Sequence, residues 1–274
     1  MNKLYKALIY NKSVSLSILE TTKLVNDAIQ IHNLDEPSAV TLGGLLTCAA
    51  YMAGCLKNEK GAVSITVKAG GDAGTVSVSG DQQLHIRGYI DGSCKGKLNG
   101  GYLTVIKDDG FYRPFVGTCE LAGNDVSQNL MKYFQMSEQI DTAVSVGVKM
   151  KDGKCVAAGG VVMQLLPGTS EEDMEKAEEK MQSFVNPAEV VEKYGADGII
   201  DTFFKGLVRD GETYLTFPEY KCNCSREKIS GVLLPLGRDE LNKIIDEEGS
   251  VKVHCHYCNT DYEFTKDDVD KLLK

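Results

Sequence analysis

Four cysteines in two closely spaced pairs near the end of the chain constrain its fold more than any other feature. Cys222 and Cys224 form a Cys-x-Cys motif, and Cys255 and Cys258 form a Cys-x-x-Cys motif. Each short loop offers two sulfur ligands to one ion, and two such pairs complete the closed tetrahedral shell of a structural Zn²⁺ site. The spacing therefore predicts one tightly bound zinc ion per reduced chain, held by these four side chains.

Three other interpretations of the two pairs are a disulfide framework, a redox-active site and four unrelated buried thiols. The N-terminus lacks the continuous apolar run and the small-residue cleavage site of a secretion signal. We therefore expect the protein to stay in the reducing compartment where it is made, which disfavours structural disulfides among its nine cysteines.

A thioredoxin-like Cys-x-x-Cys requires a helix N-terminus that lowers the thiol pKa. Here the pair is predicted to lie in the turn of a hairpin, between strands at residues 251–253 and 262–264. Unrelated buried thiols have no reason to cluster in polar turns. The sequence favours zinc, with these two interpretations as alternatives.

The charge of the chain disfavours nucleic acid and anionic membranes as partners. The 274 residues include 30 basic and 39 acidic side chains, which give a net charge of −9. Residues 222–274 alone carry eight basic and eleven acidic side chains. A zinc ribbon that binds phosphates needs the opposite sign, and no apolar run approaches the length of a membrane span.

The motifs of common enzymes and nucleotide-binding proteins are missing from the sequence. The glycine-rich stretch at residues 69–74, AGGDAG, lacks the Gly-Lys-Ser/Thr of a phosphate-binding loop and is interpreted as a turn. Neither G-x-S-x-G nor His-Glu-x-x-His occurs. We therefore expect a protein that is not an enzyme and binds no nucleotide.

The first 168 residues open with two predicted helices followed by a meander of strands. Apolar residues at helical spacing predict helices over residues 13–33 and 36–58, the second almost wholly apolar and therefore buried. From residue 62 the apolar period changes to two. Glycine-rich turns separate the predicted antiparallel strands, which occupy residues 62–69, 74–80, 83–90 and 101–109.

A helix over residues 124–139 and a long hairpin complete this part of the chain. The hairpin joins residues 142–150 to residues 155–168 through the turn Lys-Asp-Gly-Lys. Strands and helices are segregated rather than strictly alternating. The predicted fold class is α+β, with an N-terminal mixed sheet-and-helix core over residues 1–168, a helical charged linker and a small C-terminal zinc-binding domain.

The composition changes sharply after Gly168, where the linker is predicted over residues 169–220. Six acidic residues and two lysines lie between Ser170 and Gln182, and Ser170 with Asp173 is typical of a helix cap. The apolar residues of this helix form one narrow stripe at helical spacing, namely Met174, Ala177, Met181 and Phe184. Such a helix is weakly held, although an ordinary solvated connector has the same charge pattern.

The helical pattern resumes in the second half of the linker and continues to about Leu207. The segment then leads into the first cysteine pair, and residues 221–274 are predicted to form the zinc domain.

The remaining cysteines and histidines have less specific patterns. Core packing is the expected role of the five other cysteines, which are Cys48, Cys55, Cys94, Cys119 and Cys155. His254 and His256 flank Cys255 and are expected to tune the thiolates rather than to bind the metal, because four cysteines already fill the shell. His32 and His85 have no neighbouring pattern that indicates catalysis.

Several strings along the chain resemble one known family. The Cys-x-Cys motif, a spacer near thirty residues and the C-terminal Cys-x-x-Cys motif resemble the redox-switch domain of the heat-shock protein 33 family. Four further strings resemble that family's N-terminal domain in the same order, namely LHIRGYIDG, LTVIKDDGFYRPFVGTCEL, YFQMSEQIDTAVSVGV and AAGGVVMQLLPG. The resemblance therefore covers nearly the whole chain.

The resemblance implies a cytoplasmic, ATP-independent holdase chaperone that is inactive with zinc bound and active once oxidised. It implies disulfides between Cys222 and Cys224 and between Cys255 and Cys258 in the oxidised form. It also implies that the linker, with Met174 and Met181 in its stripe, unfolds with the zinc domain. The expected partners are unfolding client proteins, with a homodimer as a possible oxidised form. A zinc-ribbon nucleic-acid-binding protein and a thiol oxidoreductase are the alternatives.

Overall fold

The computed structural model describes residues 1–70, 74–91, 98, 100–208 and 212–272. These residues divide into two compact units, Met1–Tyr220 and Lys221–Lys274. The first unit contains a five-stranded and a six-stranded sheet, and the second contains a two-stranded sheet. The α+β class predicted from the sequence is confirmed. The division into a core, a linker and a zinc domain at the predicted boundaries stays a prediction.

The first unit contains eleven strands and five α-helices among the residues that the structure describes. In chain order the strands are β1 (Lys3–Ile9), β2 (Val14–Glu20), β3 (Ala62–Ala69), β4 (Thr75–Asp81), β5 (His85–Asp91), β6 (Gly101–Asp108), β7 (Phe115–Glu120), β8 (Thr142–Lys151), β9 (Lys154–Leu165), β10 (Tyr214–Thr216) and β11 (Glu219–Tyr220). The helices are α1 (Thr22–His32), α2 (Glu36–Ala53), α3 (Val126–Tyr133), α4 (Glu171–Met181) and α5 (Pro187–Phe203).

The five-stranded sheet has the order β10-β1-β2-β9-β8, and all its neighbouring strands are antiparallel. The predicted hairpin of β8 and β9 is confirmed. The helix predicted over residues 13–33 is wrong in its first half, because Val14–Glu20 is the strand β2 and α1 begins only at Thr22. Val14, Leu16 and Ile18 alternate with serines, and this period of two places all three on one face of the sheet.

The six-stranded sheet has the order β11-β5-β4-β3-β6-β7. The predicted antiparallel meander of β3, β4 and β5 is confirmed, and β6 extends it beside β3. Besides β2, four strands were not predicted, namely β1, β7, β10 and β11. The edge strand β7 exposes Phe115 and Val116, and β1 buries Leu4, Ala7 and Ile9 without regular alternation, so neither has a clear period of two.

Helix α2 forms the centre of the largest hydrophobic cluster. Its start is capped by the Asp35 carboxylate, which accepts a hydrogen bond from the Ser38 N–H at 3.0 Å, and Pro37 occupies the first turn. Leu42 and Leu46 pack with Ile65 and Val78 of the six-stranded sheet and with residues of β1, β2, β8 and β9. The helix is therefore covered by both sheets, as its apolar sequence predicted.

The second unit is built from a hairpin and three helices. Its elements are α6 (Arg226–Leu233), α7 (Gly237–Glu248), β12 (Val251–Cys255), β13 (Thr260–Phe264) and α8 (Lys266–Leu272). The predicted hairpin is confirmed, with Val251 paired to Phe264. The small hydrophobic core of this unit contains Leu233, Leu241, Ile245, Val251, Phe264 and Val269.

Of all the helices that the structure describes, none combines the length and the apolar character that crossing a bilayer requires.

Substitution of Gly160 by Ala is expected to destabilise the first unit by about 3 kcal/mol. Gly160 on β9 has a φ of +157°, and a Cβ atom there would lie 1.9 Å from the Ser145 carbonyl oxygen of β8. Denaturant unfolding of both proteins measures the loss. Gly153→Ala is the matched control, because Gly153 also has a positive φ, +74°, but nothing lies within 4 Å of its added Cβ. Left-handed strain there costs about 1 kcal/mol. Equal losses at the two sites would contradict the close strand approach as the cause.

Candidate metal centre and linker face

The second unit brings together the four cysteines that the sequence singled out. Cys222 and Cys224 lie just before α6, whose first turn is capped by the Ser225 hydroxyl oxygen, the acceptor of the Lys228 N–H. Cys255 ends β12, and Cys258 lies in the turn that leads to β13. The N–H groups of Cys258 and Asn259 both donate to the Cys255 carbonyl, which closes this turn.

The geometry of the four sulfur atoms fits a single tetrahedral metal ion. All four Sγ atoms lie within 4.8 Å of one another. The Cys222 and Cys255 sulfurs are 3.7 Å apart, and those of Cys224 and Cys258 are 3.3 Å apart. Zn–S bonds of about 2.3 Å in a tetrahedron require sulfur separations of about 3.8 Å. The four thiols, each half-buried, can therefore hold one thiophilic metal ion with only small movements.

Burial and hydrogen bonds give the four thiols unequal acidity. Burial opposes ionisation of Cys224, but hydrogen bonds from the Tyr262 hydroxyl, at 3.1 Å, and from the neighbouring thiols outweigh it and lower the pKa of Cys224 to about 7. Burial raises the pKa of Cys222 and of Cys258. A metal ion that binds here must therefore displace protons from thiols that hold them firmly, and its affinity falls as the pH falls.

Two polar neighbours of the cysteines were not predicted from the sequence. Besides Tyr262, the Thr260 hydroxyl lies 3.3 Å from the Cys258 sulfur. The register of the hairpin places Thr260 opposite Cys255. His254 pairs its Nδ1 with the Asp261 carboxylate at 2.7 Å, and its ring contacts His256 edge to face.

The remaining cysteines differ from one another in exposure. Cys48, Cys119 and Cys155 are buried as predicted, and burial raises the pKa of Cys155 to about 11. The prediction for Cys55 is wrong, because α2 ends before it and its sulfur is exposed, 3.7 Å from the Lys6 ammonium. Cys94 and residues 71–73 of the glycine-rich stretch lie outside the described residues.

The predicted linker packs on the face of the five-stranded sheet that is turned away from α2. We call this surface of the sheet, which the linker covers, the linker face. Its strand residues are Ile9, Val14, Leu16, Ile18, Ala157, Val161 and Met163. The linker residues that pack on it are all buried, namely Ala177, Phe184, Val191, Ala196, Ile199 and Phe204.

The predicted stripe of α4 points into the linker face. Ala177 and Phe184 are buried, at 4% and 1% exposure. Met181 is half-buried at the edge of the cluster. Met174 is half-buried as well, and it lines a cavity of about 690 Å³ together with Met131 and Met163. A role of Met174 and Met181 in a switch stays a prediction.

Hydrogen bonds that the sequence did not reveal hold α4 on the sheet. The predicted cap is present, since the Ser170 hydroxyl oxygen accepts from the Asp173 N–H at 3.2 Å. The Asp173 carboxylate in turn accepts from the Ser13 hydroxyl at 3.0 Å. Where the helix ends, the Ser145 hydroxyl donates to the Phe184 carbonyl. This segment is therefore tied to the β1–β2 turn at one end and to β8 at the other.

A second set of polar contacts holds α5 at a break in the helix. Gly195 has φ +59° and ψ 178°, so the helix is interrupted there. The Glu20 carboxylate of β2 accepts from the Ala196 N–H at 2.9 Å and caps the part that follows. Hydrogen bonds from Lys3 and Tyr5 hold the pKa of Asp197 below its usual range. The second half of α5 is thus anchored independently of the methionines.

Comparison with known proteins gives a consistent result over the whole chain. The family model described as Hsp33 protein matches residues 2–265. The sequence is 34% identical to the 33 kDa chaperonin of Clostridium perfringens strain SM101, over 100% of this chain and 92% of the relative. It is 33% identical to the 33 kDa chaperonin of Bacillus cytotoxicus, over 99% of this chain and 98% of the relative.

A solved structure has the same architecture. The crystal structure of the 33 kDa chaperonin (heat shock protein 33 homolog) from Thermotoga maritima matches with a TM-score of 0.85 at 26% identity. The match covers 99% of this chain and 97% of that chain.

Replacement of Cys255 by Ser is expected to abolish tight metal binding by the reduced protein. Serine replaces one of the four clustered sulfur ligands with a hydroxyl. The three remaining thiolates then leave one coordination position of the ion open. Metal content after dialysis, measured by elemental analysis, should fall from one ion per chain to well below that. Cys55→Ser is the matched control, because Cys55 is exposed and lies outside the cluster. An undiminished metal content in Cys255→Ser would refute the site.

Proposed function

The chain belongs to the Hsp33 family, whose relatives are named 33 kDa chaperonin, and from this premise we propose that it is a redox-regulated, ATP-independent holdase chaperone. In the reduced form, Cys222, Cys224, Cys255 and Cys258 hold one Zn²⁺ and the protein is inactive. The clustering of four sulfurs within 4.8 Å is the observation that carries this proposal.

The metal supplies much of the stability of the second unit. A structural zinc site contributes about 10–16 kcal/mol, which is comparable with the stability of a whole domain. Residues 221–274 share only a small hydrophobic core. A unit of this length is shorter than domains that commonly fold without a metal or disulfides. Loss of the four thiolates therefore removes the fold of this unit.

Oxidation of the thiolates is the trigger of the switch. A thiolate attacks peroxide, the O–O bond breaks, and a cysteine sulfenic acid and hydroxide form. A second thiolate then displaces hydroxide from the sulfenic acid and forms the disulfide. A pair of disulfides leaves no thiolate for a tetrahedral metal site, so the metal is released.

The disulfides are proposed to join Cys222 to Cys224 and Cys255 to Cys258. Sulfur separations of 3.7 Å and 3.3 Å join Cys222 to Cys255 and Cys224 to Cys258, so distance alone does not select the pairing within motifs. Short loops close at a smaller entropic cost than long ones. As the unit unfolds, each sulfenic acid therefore meets the cysteine of its own motif most often.

Release of the linker is proposed to generate the active form. The linker runs directly into Cys222, and α4 buries only Ala177 completely within its own length. A helix of eleven residues with so little apolar contact is not stable alone. Once it leaves, the linker face becomes an exposed apolar surface that binds unfolding client proteins. A homodimer of the oxidised form would bury part of the same surface.

The cytoplasm is the proposed location, because a reducing compartment keeps the four thiols available for zinc. The proposed holdase activity requires no nucleotide, and the protein is proposed not to be an enzyme. Two alternatives come from other classes, a zinc-ribbon nucleic-acid-binding protein and a thiol oxidoreductase. A salt-dependent gel shift tests the first, and insulin reduction tests the second.

Peroxide treatment is expected to convert the zinc-loaded protein into an active holdase. Light scattering of a heat-aggregating client should be suppressed by the treated protein, should be unchanged by the reduced protein, and should not depend on ATP. Peptide mapping of the same sample should recover residues 222–226 and 253–266 as separate peptides with internal disulfides. Cys55→Ser should behave as the wild type, since Cys55 lies outside the cluster. Activity that requires ATP would contradict the proposal.

Substitution of both Met174 and Met181 by Asp is expected to give holdase activity while the metal is still bound. The two carboxylates cannot be buried against the linker face without a cost of several kcal/mol, so the linker undocks although the cysteines are intact. Limited proteolysis should cut the reduced variant as fast as the oxidised wild type. The control is Gln182→Asp with Ser183→Asp, which adds the same charge at exposed positions. If the reduced methionine variant stays protease-resistant and inactive, the linker is a passive connector.

A further inference from the structure

The contact between the linker and the sheet contains several methionine sulfurs. Met174 of α4, Met131 of α3 and Met163 of β9 line one cavity of about 690 Å³. Met181, at the end of α4, packs at the edge of the linker face. The cavity is several times larger than a water molecule or a peroxide molecule. Small oxidants can therefore reach the sulfur of Met174, whose side chain also packs the linker against the first unit.

We propose that Met174 and Met181 form a second oxidation-sensitive site, at which conversion to methionine sulfoxide loosens the linker without any change at the four cysteines. This inference rests on the proposed function only in its consequence, since linker release produces activity only if the protein is a holdase. The oxidant is hydrogen peroxide or hypochlorous acid.

The reaction needs neither a thiolate nor a metal-binding residue. The thioether sulfur attacks one oxygen of the peroxide, an S–O bond forms and the O–O bond breaks. The sulfur loses two electrons to become a sulfoxide, and the peroxide is reduced to water. Because a thioether carries no proton, its reactivity does not wait for deprotonation or for release of the metal.

Met174 and Met181 combine access to an oxidant with a position on the linker, whereas Met131 and Met150, which are also half-buried, belong to α3 and β8. Met136 is 64% exposed, so a sulfoxide there keeps most of its contact with water. Met163 is 2% exposed and lies on β9 of the sheet rather than on the linker. Met174 and Met181 are half-buried, so an oxidant reaches them and the polar product must sit against apolar side chains.

Helix α4 itself offers the sulfoxide oxygen few donors, and the donors near Met174 are Gln128, Lys132 and Gln135, which line the same cavity. That oxygen accepts hydrogen bonds, whereas most polar side chains of α4 are carboxylates, which are acceptors themselves. Lys176 is already paired with Glu172 at 2.5 Å. Burial of an unpaired polar group opposes docking, and the short helix has few other apolar contacts with which to resist.

The test isolates sulfoxides from cysteine chemistry in the full-length protein. Protein treated with peroxide or hypochlorous acid is then incubated with dithiothreitol and ZnCl₂, which restores thiols and metal but leaves methionine sulfoxides. Peptide mass spectrometry checks for one added oxygen on the peptides with Met174 and Met181. Trypsin should cut the linker about tenfold faster or more, which corresponds to about 1.4 kcal/mol in the opening equilibrium. Metal content should equal that of untreated protein.

Enzymatic reversal and two variants complete the test. Methionine sulfoxide reductases of both epimer specificities should restore protease resistance. Met174→Leu with Met181→Leu keeps apolar volume at both positions, so the linker should stay docked after the same treatment. This variant should still respond to cysteine oxidation. Met136→Leu should respond as the wild type does.

Three results would overturn the inference. The first is an unchanged linker in protein that carries sulfoxide at both positions. The second is oxidation of Met136 with no sulfoxide at Met174 or Met181, and the third is an equal response of the leucine variant. Failure of the proposed function looks different, because cysteine-oxidised protein would then suppress no aggregation while the sulfoxide-dependent cleavage of the linker remained.

Discussion

Every other feature of the first unit depends on the need to cover both faces of the five-stranded sheet. Helix α2 covers one face, and its nearly uniform apolar sequence suits a position between two sheets. The other face presents Leu16, Ile18 and Val161, which cannot stay exposed in a monomer without becoming a binding surface. The linker supplies the cover. A segment that hides an apolar face and is itself only weakly helical makes the exposure of that face adjustable.

Apolar and polar contacts divide the linker into parts of different strength. The first part, α4, has a charged surface and relies on a narrow stripe, the Ser170 cap and the ties at Ser13 and Ser145. The second part of α5 is fixed by Glu20 and by the Asp197 pairs, beyond the break at Gly195. Local opening follows the segments with the fewest buried contacts, so α4 should open before the end of α5. This order leaves the chain tethered to the sheet while part of the linker face opens.

Local patterns were predictable from the sequence, and long-range contacts were not. The two cysteine motifs, the β12–β13 hairpin and the buried α2 each depend on residues close together in the chain, and the sequence indicated all three. β2 was mistaken for a helix, because a window that joined it to α1 hid the serine alternation. The contact of Glu20 with Ala196 spans 176 residues, and nothing in the local sequence of either residue indicates the other. Such contacts follow from sheet order and register.

The metal centre and the linker contribute free energies of different size, and this difference decides how the proposed switch works. A metal site worth about 10–16 kcal/mol is either intact or absent under ordinary conditions. A short helix held by a few apolar contacts and hydrogen bonds is worth a few kcal/mol, which is within the range that one buried polar group can offset. In the proposed switch, the cysteines therefore set an all-or-none state, whereas the contacts of α4 determine how readily the linker opens in each state. A chain that carries both can respond to strong oxidation through its thiols and be adjusted finely through the side chains at its linker face.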